Sequence, residues 1–378
     1  MRPSSAKLLA QAVVTIAGAA ALALVDLSSA AEAAEPCTRD QICGPKNPED
    51  FVRLTGSRWA IVSELARPPA GGLFLIDLGR RTARALMPDF SGRPTATYAG
   101  CPRAPAAGAM ITHGLDIRRR PNGATELFAV NHGGRESIEV FDVHPDTDGP
   151  KLSWKGCVIL PADMSANAVA ALPDGFAVTS FGTAGAQGLT DLLAGRPAGY
   201  VGRWSAHKGW ARVAGSGFGG DNGVAASADG STLYVNDWND GTLRVLSLRT
   251  GVAPTRIRLG DFHPDNLHWL PDGRLLIAGQ VGTARAIMNC SGDSKCRVGS
   301  MIAIVDPRLS AVRLRWAVTP TSTFAAASTA LLYGADYWAS SFRGDRIVRL
   351  GPAPRDALRV TPPGGAASDP HAKESRQP

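Results

Sequence analysis

The 378-residue sequence contains no CxxC pair, which argues against a sulfur-held metal cluster. Beyond residue 25 no stretch is long and apolar enough to cross a bilayer, so the mature chain is expected to be soluble. No helical period longer than a turn or two appears, which points to an all-β chain. No Arg-Arg pair precedes the opening apolar run, favouring general secretion over a twin-arginine route. A basic stripe with stacking aromatics is also missing, so nucleic acid is a poor partner. The formal charge is nonetheless +7 and the pI about 9.3. The one arginine run, Arg118-Arg119-Arg120, precedes a Pro-Asn-Gly turn and reads as a solvated hairpin end. Weak attraction to an anionic envelope surface fits this balance.

At the N-terminus, Arg2 and Lys7 precede a small, apolar run over 8–25. Ser28-Ser29-Ala30 and Ala31-Glu32-Ala33 fit small-x-small cleavage, so residues 1–33 are expected to be a signal peptide. The run is short and alanine-rich for the alternative, a retained anchor. A periplasmic or secreted location follows. Six cysteines, an even count in an exported chain, then favour disulfides. Cys37 with Cys43, and Cys290 with Cys296, each close a short loop, which leaves Cys101 with Cys157. The tail, 362–378, is Gly, Ala, Ser and charge and reads as disordered. Residues 34–361 remain as the folded domain.

Repetition decides the fold. Six β-rich runs recur, at 59–63, 126–131, 175–180, 232–236, 274–278 and 331–335. Each is followed by a second run, at 72–77, 137–142, 200–204, 242–246, 300–305 and 346–350, and preceded by a weaker one that ends in a turn. Three of those turns are Pro173-Asp174-Gly175, Asp229-Gly230 and Pro271-Asp272-Gly273, and Gly after Asp is a tight-hairpin signal. Three or four strands repeated six times bury their faces by radial stacking, which predicts an all-β, six-bladed β-propeller. A large β-sandwich is the alternative, but it does not need one phrase six times.

The innermost strand of each blade lines the central channel, so the six strand starts converge on one mouth. They read Pro48-Glu49-Asp50-Phe51, Thr112-His113-Gly114-Leu115, Ala166-Asn167-Ala168-Val169, Asp221-Asn222-Gly223-Val224, Asp265-Asn266-Leu267 and Ser322-Thr323-Phe324. Glu49, Asn167, Asn222, Asp265 and Asn266 thus offer hard oxygen ligands at one repeat phase. Calcium takes six to eight such oxygens in flexible geometry, so a central calcium site is expected. Any one Asn alone reads sooner as a strand-end or turn residue. His113 opens an inner strand, and an antiparallel hairpin should return His132 beside it. Two imidazoles near a cation suit acid-base work near neutrality. A purely structural histidine is the alternative, chiefly for His132.

These residues resemble the paraoxonase and arylesterase family. Thr112-His113-Gly114-Leu115 followed by Phe128-Ala-Val-Asn131-His132 is similar to its paired-histidine blade, and Asp221-Asn222-Gly223 with the run 227–234 to its next calcium blade. The resemblance spans 47–350, with gluconolactonase, senescence-marker and strictosidine-synthase-like propellers as wider neighbours. It implies a calcium-dependent hydrolase of lactones or aryl esters in the cell envelope. Glu49, Asn167, Asn222, Asp265 and Asn266 would hold the catalytic calcium. His113 would activate water, and His132 would shuttle its proton. A second, structural calcium in that family uses acidic positions matching Asp50 and Ala168, and Ala168 offers no side-chain ligand. A further family histidine is replaced by Gln280 or Val281. No cysteine follows Cys296, so the family's disulfide between chain ends lacks a partner. Rival readings are a gluconolactonase-like sugar lactonase and a non-catalytic, calcium-plugged propeller that binds a ligand or protein. Phe181, Trp238, Phe262, Trp269 and Tyr337 are expected near the mouth and favour an apolar wall, although Trp269 also suits packing between blades.

Overall fold

The computed structural model describes residues 36–68, 71–106, 108–249, 251–290 and 296–355. The expected signal peptide (1–33) and disordered tail (362–378) lie outside these residues. Among the described residues the chain forms six four-stranded sheets, and every strand pairing within them is antiparallel. In the first five, four consecutive strands run from the inside outward, as in Pro48–Arg53, Trp59–Glu64, Gly72–Asp77 and Thr82–Leu86 of blade 1. The inner strands of blades 2 to 5 are Thr112–Arg119, Met164–Leu172, Asp221–Ala226 and His263–Trp269.

Second strands are apolar and branched because each is covered on both faces by neighbouring blades. Leu127, Phe128, Ala129 and Val130 of blade 2 are all fully buried. The core is accordingly divided into inter-blade layers. Ile61 and Leu75 of blade 1 pack with Leu127 and Phe141 of blade 2. Equivalent clusters join each following pair, and Ile76 meets Trp338 and Ile347 where blade 6 returns to blade 1. The chain is therefore an all-β, six-bladed β-propeller.

Blade 6 departs from expectation. Its inner strand is Ala327–Tyr333, not the stretch beginning at Ser322, and Leu331 belongs to that inner strand rather than to the second one. The second strand is Asp336–Ser341. Gly334, at φ 63°, makes the turn between them, and an apolar run beside a turn does not declare which side of it is inner. The outermost strand comes from the other end of the sequence. Gln41–Cys43 pairs with Arg346–Gly351, setting Gln41 opposite Val348 and Cys43 opposite Arg346.

The disulfides are Cys37–Cys43, Cys101–Cys157 and Cys290–Cys296, the three pairs expected from spacing and elimination. The first pins the closing strand. The second ties the connector after blade 1 to the outer strand of blade 2, Lys151–Ile159. Among the described residues no helix is long and apolar enough to cross a membrane.

Candidate functional site

All six inner strands carry one extra residue at the same phase. The register slips between Pro48 and Phe51, Thr112 and Leu115, Ala166 and Val169, Asp221 and Val224, Pro264 and Leu267, and Ala327 and Thr329. A β-bulge re-aims the side chains it contains. The bulges hold Glu49-Asp50, His113-Gly114, Asn167-Ala168, Asn222-Gly223, Asp265-Asn266 and Ser328. Two of them require glycine for lack of room. A Cβ on Gly114 would sit 2.5 Å from the Asn167 carbonyl oxygen, and one on Gly223 would strike the Asp265 carbonyl. Thr323 and Phe324, expected at the ring, lie before the strand, and Ser328 takes that place, its hydroxyl donating to the Glu49 carbonyl.

This ring gathers oxygens that the protein does not satisfy. Glu49 is 1% exposed, Asn222 3%, Asn266 2%, and Asn167 and Asp265 5% each. Yet Glu49 Oε2, Asn167 Oδ1, Asn222 Oδ1 and Asn266 Oδ1 have no hydrogen-bond partner. Buried acceptors without partners are uncommon and costly, at about 1–3 kcal/mol each. The ring's other contacts tie it together: Asn266 Nδ2 donates to Glu49 Oε1 at 2.6 Å, and Gln280 Nε2 to Asp265 Oδ2 at 2.6 Å. Burial, and then the charges of Asp265 and Asp50, hold the Glu49 carboxyl well above its usual range. Burial likewise pushes Asp265 up to about 7, against the hydrogen bonds from Gln280 and Asn222. Among the described residues no three His, Cys, Asp or Glu side chains gather as a metal centre, so the ring's oxygens are largely amide.

The hairpin returns His132 to His113. His113 Nδ1 lies 3.0 Å from His132 Nε2, and His113 Nε2 lies 3.7 Å from Glu49 Oε1. Burial first, then the neighbouring His132, holds His113 well below the ordinary imidazole value, so it is neutral at pH 7. On its far side His132 Nδ1 meets Glu136 Oε2 at 2.7 Å.

Asp50, adjacent in sequence to Glu49, is placed differently. Its Oδ1 accepts from Phe51 N at 2.8 Å and from His268 Nε2 at 2.7 Å, and its Oδ2 accepts from Leu115 N at 2.8 Å. Asp116, which burial pushes up to about 6, accepts from Ala171 N and Ile117 N. This second belt is complete without a ligand.

At the ring's end of the channel, Phe181 meets Trp238 edge-on at 5.4 Å between centroids. Leu192, from helix Ala186–Leu193, and Ile287, from helix Ala284–Met288, join Trp238 in one apolar cluster with the Cys290–Cys296 disulfide. Trp269 and Tyr337 are not here. Each sits where its strand meets the other end, Trp269 packing on Tyr234 and Tyr337 on Trp316, because period-2 strands show no polarity of the channel axis. Phe262 is buried between blades 4 and 5. A cavity of about 890 Å³ opens at that opposite end, lined by Ile117, Leu172, Ala226, Leu270 and Leu332, and none of the orphaned oxygens faces it.

Four participants were not legible as such: Glu136, His268, Ser328 and, as a partner of Asp265, Gln280. His268 had a usable signal, since positions 266 and 268 lie on one face of a strand. Glu136 and Ser328 are defined by loop and bulge geometry, and Gln280 by its place opposite His263 on the second strand of blade 5.

No family model matches the sequence, and no curated protein matches it. Solved structures do resemble it. A provisionally assigned gluconolactonase has 13% identity and a TM-score of 0.47, covering 86% of this chain and 96% of its own. A luciferin-regenerating enzyme has 10% identity and a TM-score of 0.49, covering 85% and 95%. Virginiamycin B lyase from Staphylococcus aureus has 12% identity and a TM-score of 0.41, covering 77% and 76%. At these values the likeness carries no argument about chemistry, and the class rests on the chain's own six sheets.

Proposed function

We propose that this propeller hydrolyses lactones or aryl esters, using a calcium ion held at the bulge ring, in the periplasm or outside the cell. The observation that carries the reading is the meeting of four buried, partnerless oxygens with a hydrogen-bonded histidine pair whose inner member, His113, is held in the uncharged form by burial. Glu49, Asn167, Asn222, Asp265 and Asn266 would hold the ion. Amide and carboxylate oxygens without sulfur suit calcium, and its charge offsets two carboxylates that burial otherwise pushes toward the neutral form. Bound there, calcium would supply a Lewis acid that polarises the carbonyl and counters charge developing on its oxygen. His113, neutral because it is buried, takes the proton from attacking water, and His132 receives it in turn. Trp238, Phe181, Leu192 and Ile287 pack as an apolar cluster at the ring's end of the channel, and its character would favour an apolar acyl or aryl group over a sugar lactone. Asp50 keeps its oxygens on Phe51, Leu115 and His268, and the reading does not use it as a ligand. Three disulfides suit an oxidising compartment.

The test is elemental analysis of the purified protein, with phenyl acetate and lactone hydrolysis measured before and after chelation. One calcium or more per chain is expected, and calcium rather than magnesium should restore both activity and melting temperature. At a hundredfold excess over its dissociation constant, calcium should add roughly 2.7 kcal/mol of stability. An absence of calcium together with an unchanged melting curve in chelator would remove the metal from the reading. A calcium-loaded protein inactive on every lactone and ester tried would leave a binding propeller.

A further inference from the structure

We propose that Glu136 fixes the proton order of the histidine pair, so that the lone pair of His113 lies on Nε2, facing Glu49 and the ring. The catalytic consequence rests on the hydrolase reading above; the proton order itself does not.

The argument follows the hydrogen bonds inward from the surface. A carboxylate only accepts, so the His132 nitrogen 2.7 Å from Glu136 Oε2, Nδ1, must carry hydrogen. In a ring with a single N–H the other nitrogen, Nε2, is then an acceptor. The atom 3.0 Å from it is His113 Nδ1, which must therefore donate. His113, whose burial disfavours the charged form, is left with a bare Nε2. That nitrogen is the one 3.7 Å from Glu49 Oε1. One carboxylate thus determines a tautomer two rings away. Without it both rings could reverse, which would place hydrogen on His113 Nε2 and leave no lone pair toward the ring.

The loop is built to hold this carboxylate in place. Buried Asn131 accepts from Ile111 N and Gly133 N, both at 3.0 Å, and donates to the carbonyls of Gly133 and Arg135 and to the Ser137 hydroxyl. Gly133 is pressed against the Ala109 carbonyl, and Gly134 turns the chain at φ 71°. The neighbouring Arg135 is committed to Glu139 at 2.7 Å, so it does not compete. Among the described residues His132 is the one side chain that Glu136 engages.

Exposure rises along the chain of groups. The side chains of His113, His132 and Glu136 are 15%, 21% and 48% exposed. When His113 Nε2 gains a proton from water, its Nδ1 proton passes to His132 Nε2. The oxygen of the water keeps the electron pair of the broken O–H bond and bonds to the carbonyl carbon, whose π pair moves onto the carbonyl oxygen. The positive charge then rests on His132 against the Glu136 carboxylate, nearer to solvent than His113. Glu136 touches no reacting atom and is a positioning residue.

The experiment is nitrogen-15 NMR of the calcium-loaded protein labelled at histidine, with rings assigned by His113→Gln and His132→Gln. Wild type should show both rings with hydrogen on Nδ1 and a bare Nε2 on His113. Glu136→Gln can still accept through its amide oxygen and should preserve the order. Glu136→Ala should give mixed tautomers at both rings. With 48% of the side chain exposed, neither substitution endangers the fold. In phenyl acetate hydrolysis Glu136→Ala should lower kcat roughly tenfold to a hundredfold with KM unchanged, and Glu136→Gln should recover part of it. Unchanged tautomers in Glu136→Ala would overturn the proposal. Shifted tautomers in a protein whose wild type hydrolyses nothing would uphold the proton order and sink the hydrolase reading.

Discussion

Glu49 and Asp50 are consecutive residues, almost equally buried at 1% and 2% exposure, and they lead opposite lives. Asp50 finds two backbone N–H groups and His268, so every oxygen is occupied from within the protein. Glu49 receives one amide hydrogen from Asn266 and keeps a buried oxygen with nothing to accept from. The belts around them follow suit. The lower one, with Asp116 bonded to backbone N–H groups, is self-contained, as a structural plug would be. The upper one has four acceptors in deficit. Burial alone therefore says little about function here, whereas the balance of donors and acceptors separates a layer that holds the fold from one built for a guest.

The largest expected effect lies on the upper belt. His113→Gln should lower lactone turnover by about 10²–10⁴-fold, the usual worth of a general base, while calcium content by elemental analysis stays unchanged. Because the His113 pKa is held well below 6.5, the wild-type rate should rise with pH only on the acid side and be level through neutrality. A rate that instead climbs through pH 7 would show that another group is the base.

Next in size is a contrast between the two neighbours. Asp50→Ala strands His268 and two N–H groups and should cost about 3–5 kcal/mol in denaturant unfolding, with or without calcium. Glu49→Gln should cost nothing in calcium-free buffer, since it stands in for the protonated carboxyl that burial favours, but should abolish stabilisation by calcium. The sign follows from linkage. The raised Glu49 pKa means that the fold keeps a proton where the unfolded chain has released it. Calcium-free stability should therefore fall as pH rises above 4.5, and the Gln variant should remove part of that slope. Equal losses from both substitutions would erase the distinction between the belts.

The smallest effect belongs far from either belt. Replacing Cys37 and Cys43 by serine should cost roughly 2 kcal/mol, the chain-entropy value for a short loop. Hydrogen exchange should quicken at 346–348 and stay slow at the ring. Exchange quickening around Glu49 instead would show that the rim and the channel are coupled.

The propeller was legible because strand period and Asp-Gly turns repeat, and the ring because its residues share one place in each repeat. Blade 6 slipped by a strand at Gly334, where apolar residues flank the turn on its inner side. The closing strand Gln41–Cys43 is three residues long, and its partner is remote, so no local pattern announces it. Bulges leave no mark in sequence. Gly114 and Gly223 came closest, but their need for glycine is imposed by a neighbouring blade's backbone. Glu136 was invisible for a similar reason: its direction is set by the Asn131 cradle rather than by spacing. Tyr337 was assigned to the wrong mouth, because alternation reports which face a residue occupies and not which end of the channel it nears, whereas Trp269 took its alternative and packs across blades on Tyr234.

The clasp of blade 6 also governs the order in which the molecule can be assembled. Gln41 and Arg346, 305 positions apart, share a hydrogen bond, so the segment synthesised early waits for the one synthesised late. Five sheets can form from contiguous chain as it appears, but the sixth keeps an open edge until the ends meet. An open edge is a template for any strand, including the same segment of a second copy. The Cys37–Cys43 loop is local and can close before any blade exists, so the clasp is already shaped when its partner arrives, and the interval of vulnerability is shortened from the side that has longest to wait.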